Sequence, residues 1–115
     1  NAYKTEGDIQ IAVASRNFRD YILAVDNYDG DQTRILYTIL RTMIELDKIM
    51  DNKYSDSPLK KYIKEWTRPD IYYMFNHTYK VLQSLRQGIT ANTEDILIYL
   101  GALFKFQRIP DLEAL

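Results

Sequence analysis

The sequence predicts an all-α fold, a compact bundle of four main helices plus one short helix, and three observations predict it. Apolar residues recur at spacings of three and four in successive stretches. Glycines and prolines fall between those stretches or near their ends, with Gly101 as the exception. Side chains that cap helices stand at the starts. A chain of 115 residues fits one domain, and its near-half apolar and quarter charged composition is that of an ordinary globular protein.

Residues 1–7 are polar and expected to be loose. Asp8 follows Gly7 and is placed to cap a first helix from about Ile9 to Asp26, whose face is Ile11, Ala14, Phe18, Ile22 and Val25. Asn27-Tyr28-Asp29-Gly30 has the composition of a turn. Asp31 caps the longest helix, which runs to Met50. Leu36, Ile39, Met43, Leu46 and Met50 form its stripe, flanked by Ile35, Leu40, Ile44 and Ile49. A sector this wide touches more than one neighbour, which makes this helix the centre of the bundle.

Ser57-Pro58 reads as a capping hydroxyl followed by proline at a first helical position, where its missing N–H is harmless. Leu59, Tyr62, Ile63 and Trp66 give the short helix its face, and Arg68-Pro69 ends it. Pro69 opens a further helix with Ile71, Phe75, Thr78, Leu82 and Leu85 as its stripe, Arg86 in the last turn and Gly88 just beyond. Asn92 or Thr93 caps a last helix to about Gln107, with Glu94 and Asp95 in its first turn. Strand formers are dense in 96–106, but the acidic cap and the lack of alternation favour helix.

Composition excludes several chemistries. With no cysteine there is no disulfide scaffold, thiolate zinc site or cysteine nucleophile. The glutamates and the single histidine, His77, make no Glu-x-x-His pair, so neither a dinuclear carboxylate site nor any metal is expected. His77 sits at the rim of its helix and reads as a surface residue, and no cofactor is expected. The glycines are isolated, so no phosphate-cradling loop exists. The arginine-to-histidine spacing of small helical ribonucleases fails as well, because Tyr21 follows Arg16-Asn17 where a histidine is needed and Arg68 is too far from His77. No catalytic residue emerges. A net charge of −1 argues against a dedicated duplex-DNA binder. No window is apolar for long enough to span a membrane, and the first residues are too polar for a signal peptide. A cytoplasmic location without membrane contact is the expectation.

Two features remain. Residues 53–68 carry five basic against two acidic side chains, whereas residues 1–31 carry three against six. Lys60, Lys61, Lys64 and Arg68, interleaved with Tyr62 and Trp66, are candidates to contact a polyanion such as single-stranded nucleic acid. The plainer reading puts both aromatics in the core and the lysines on a solvated helix back. The last predicted helix is apolar nearly all round: Ile96, Leu97, Leu100, Leu103 and Phe104 gather on one side. Ile98, Tyr99, Ala102 and Phe106 are candidates for a partner or dimer interface on the other. The expected function is a non-enzymatic protein–protein interaction or regulatory module that associates with a second copy of itself. The alternatives are a nucleic-acid-associated protein and a small-molecule binder.

Overall fold

The computed structural model describes residues 5–52 and 56–88. Every regular element among them is helical: α1 (Glu6–Ala14), α2 (Phe18–Asn27), α3 (Gln32–Asp51), a 3-10 helix (Lys60–Glu65) and α4 (Arg68–Arg86). The all-α bundle expected from the sequence is what the chain forms. None of these helices is long and apolar enough to cross a membrane. The last predicted helix, 92–107, lies outside the described residues, as do Lys53 and Tyr54.

The centre is α3, which packs against α1, the 3-10 helix and α4. Asp31 caps it as expected, its carboxylate accepting from the Thr33 N–H at 3.0 Å. Ile35, Leu36, Ile39, Leu40, Met43, Leu46 and Ile49 are all buried. Thr38 and Thr42 are buried too, and each hydroxyl donates to a carbonyl four residues back, at 2.8 and 2.7 Å, which settles a polar atom without a core partner. One flanking residue departs from the expected pattern. Ile44 is 44% exposed.

The first predicted helix is two helices. α1 starts at Glu6 in a capping box in which Thr5 is the cap and Asp8 is the third helical residue rather than the cap itself. It stops at Ser15. Arg16 takes a left-handed conformation at φ 56°, its N–H reaching the Val13 carbonyl while the Asn17 N–H reaches that of Ala12. This is the closing motif in which glycine usually holds the left-handed position. Asn17 then caps α2, accepting from the Asp20 N–H at 3.0 Å. The break rotates the faces: Ile9, Ala12, Val13, Tyr21 and Ala24 are buried, whereas Ile11 is 46% exposed.

The short third element is a 3-10 helix rather than an α-helix. It begins at Lys60 with Leu59 as its cap, so Ser57-Pro58 forms the turn before it rather than its start; there the Ser57 hydroxyl accepts from the Leu59 N–H at 3.1 Å and donates to the Glu45 carboxylate. Leu59 and Trp66 are buried, with Tyr62 and Ile63 packed at the core edge. α4 begins one residue before Pro69, with Thr67 as cap in a second capping box closed by Asp70. Ile71, Met74, Thr78 and Leu82 are its buried side, and Phe75 and Leu85 sit at the margin. Gly88, at φ 78°, follows the helix in the left-handed conformation that the sequence suggests.

Candidate functional site

Two polar clusters tie distant parts of the chain together. Glu6 at the start of α1 receives the Tyr28 hydroxyl at 3.1 Å, Arg34 Nε at 3.0 Å and Arg41 Nη2 at 2.8 Å. The Arg34 hydrogen bond holds the Glu6 carboxyl below its ordinary value near 4.5 against the opposing effect of desolvation, helped by Tyr28 and Arg41. A carboxylate depressed in the folded state adds stability above its unfolded pKa and loses it as pH falls through the folded one. Glu6→Gln is therefore expected to flatten the acid side of the stability–pH profile below about pH 4.5, read from urea midpoints across pH. The effect is small, because both arginines are more than half exposed.

The second cluster is buried. Arg16 Nη2 donates to Asp70 Oδ2 at 2.9 Å, with both side chains almost fully covered. Its guanidinium lies 4.0 Å from the centre of the Trp66 ring, and Trp66 Nε1 donates to the Ala14 carbonyl at 2.8 Å. The same Asp70 oxygen receives the Thr67 N–H at 3.2 Å. The α1–α2 elbow, the end of the 3-10 helix and the start of α4 are thus clasped at one point.

These contacts decide what the basic segment can offer. Lys60, Lys61 and Lys64 are exposed, and Lys61 lies 5.2 Å from the Tyr62 ring. Arg68 is engaged elsewhere, holding Asp47 at 2.8 Å and Asp51 at 2.7 Å. Trp66, the best stacking platform in the segment, is 4% exposed beneath Arg16. The structure therefore keeps three of the four candidate cations together at the surface without the tryptophan beside them. The interface candidates Ile98, Tyr99, Ala102 and Phe106 lie outside the described residues.

The feature that the sequence reading misses is an open apolar groove between α3 and α4. Met43, Ile44, Asp47 and Lys48 line it from α3, and Ile71, Tyr72 and Phe75 from α4, around a volume of about 260 Å³. Ile44 is also on the wall of a second depression with Arg41, Glu45, Lys48 and Ile49, so it stands as a ridge between two hollows. On α4 the stripe continues: Tyr72 is 49% and Tyr79 45% exposed, and Phe75 stacks on Tyr79 with ring centres 6.3 Å apart. Tyr72, Phe75 and Tyr79 recur at three and four residues, the spacing of one helix face. Their signal is present in the sequence as tyrosines beside the core stripe, but it is the same signal that a buried margin gives.

His77 is half-buried on the far side of α4 from this face, stacked on Tyr73 at 5.9 Å. Burial lowers its pKa first and the nearby Lys80 lowers it further. No group of three histidine, cysteine, aspartate or glutamate side chains gathers to hold a metal among the described residues. No family model, no curated protein and no solved structure matches the chain.

Proposed function

We propose that this chain is a non-enzymatic protein–protein interaction module of a regulatory kind that associates with a second copy of itself. The observation that carries the reading is the stripe of Ile44, Tyr72, Phe75 and Tyr79 beside the α3–α4 groove. Single apolar residues at a surface need no explanation, but a contiguous set of large ones on two rigid helices marks a place where another surface settles. Tyrosine suits such a face, since its ring can be buried while its hydroxyl stays at the wet rim. Sequence composition supports the same reading, with ten tyrosines, one histidine and no cysteine offering much contact area and few catalytic groups.

The polyanion reading of Lys60, Lys61 and Lys64 ranks second, because Arg68 and Trp66 are committed inside the fold. Light scattering on the full chain at high micromolar concentration tests the first reading. The expected result is twice the mass of one chain, falling to a single mass on dilution. The mass of one chain at every concentration, unchanged by Phe106→Asp, would overturn it.

A further inference from the structure

We infer that residues 92–107 of the same chain lie along the seam between α2 and α4 and close the bundle there. This goes beyond self-association and does not rest on it. Among the described helices, α1 packs against α2 and α3, and α3 against α4. α2 and α4 are thus the two ends of a row, with no extended contact between them. Both ends run the same way. Arg16, just before α2, bonds Asp70 in the first turn of α4. At the opposite end Tyr28, just after α2, bonds Glu6, which also holds Arg34 near the start of α3. Arg86, at the end of α4, reaches Tyr37 one turn further along α3. A helix that turns back after Gly88 is therefore antiparallel to α2 and α4 alike, and one segment can pack on both.

Each end helix is covered over a wider sector than one neighbour accounts for. On α2, Tyr21 and Ala24 are fully buried and Phe18, Ile22 and Val25 partly so. Together they take up roughly half of the helix circumference, a sector that touches more than one partner. On α4, Ile71 and Phe75 line the groove on the α3 side. Met74, His77, Val81 and Leu85 lie on the other flank, and each is buried or half-buried. The chain that follows fits this seam in length and charge. Residues 89–91 make a link of the short kind that joins antiparallel neighbours. A helix over 92–107 is about 24 Å long, which returns it from Arg86 to the level of Ile71. Its stripe of Ile96, Leu97, Leu100, Leu103 and Phe104 then faces the seam, with Tyr99, Ala102 and Phe106 turned away from it. Glu94 and Asp95 come to the end of α4 where Arg86 is exposed.

The chain has no cysteine, so pairs of introduced thiols report proximity in the full-length protein. An antiparallel return sets Leu103 level with His77 and Ile96 level with Ser84. His77→Cys with Leu103→Cys, and Ser84→Cys with Ile96→Cys, are expected to join within one chain when a short bis-maleimide is added at low protein concentration. Tyr79→Cys with Leu103→Cys, and Gln83→Cys with Ile96→Cys, are matched in level but use the exposed side of α4. These control pairs should react roughly tenfold more slowly, because a linker that cannot span two sites gives almost no effective concentration. Circular dichroism shows which variants keep their helices, and the second pair decides where the first does not fold. Faster linkage of the control pairs would place the segment over the α3–α4 groove and overturn the inference. Equal rates on both sides, no linkage at all, or links only between two chains would overturn it as well.

Discussion

Asp70→Ala is expected to lose about 3–5 kcal/mol of folding stability, the cost of removing one partner of a buried ion pair, and to lower the melting temperature by on the order of 10–20 °C. The loss comes from what stays behind. The Arg16 side chain is 6% exposed and would keep its charge while losing its nearest carboxylate. Part of the loss is local to α4, where Asp70 closes the capping box by accepting from the Thr67 N–H. Asp70→Asn keeps an acceptor of the same shape and should fall between the parent and the alanine variant. Arg16 also holds a left-handed backbone, which costs a side-chain-bearing residue about 1–2 kcal/mol. Arg16→Gly combined with Asp70→Asn removes that strain and both charges, so the double variant should lose less than the two single losses added together. Chemical denaturation followed by the fluorescence of Trp66, the sole tryptophan, measures all three. Because the pair is buried, the cost should change little between low and high salt. A loss below about 1 kcal/mol, or one that salt abolishes, would mean the pair behaves as a surface contact.

That clasp also shows where sequence reasoning stops. The α3 centre is legible because its burial is periodic and its cap is local: Asp31 needs only the Thr33 N–H two residues away. The two capping boxes are equally local, yet Thr5 is passed over for Asp8 because both residue types cap helices and the box joins them. The Arg16 elbow is not legible for a different reason. The apolar spacing Ile11, Ala14, Phe18, Ile22 runs straight through it, and the break depends on Asp70, fifty-four residues away, to hold an arginine where glycine is usual. The candidate site follows the same division. That Lys60, Lys61 and Lys64 stay at the surface follows from helix-face reasoning. That Arg68 is taken by Asp47 and Asp51 depends on how α4 lies against α3. The groove is a property of two helices together, so neither stretch of sequence carries it alone.

Leu46→Ala and Ile44→Ala are expected to act on different properties, although the two residues stand two apart on one helix. Leu46 is fully buried, and truncating it leaves a cavity in the part of α3 that its neighbours hold rigid. The expected loss is about 2–5 kcal/mol, with Met43→Ala in the same range. Two residues earlier, and so on the opposite side of the helix, Ile44 is 44% exposed. Its truncation removes area already largely in water, and a change within about 0.5 kcal/mol of folding stability is expected. The dimer mass should respond in the opposite order. Ile44→Ala should weaken association, since the ridge between the two hollows is lost, whereas Leu46→Ala should weaken it only where the chain unfolds. Urea unfolding and light scattering on the same two variants give the four values needed. If Ile44→Ala costs as much folding stability as Leu46→Ala, the ridge is part of the core and the docking face loses its footing. If it costs little and the dimer still weakens, α3 serves the protein with two sides: an inner one that holds the fold and an outer one that meets the second copy.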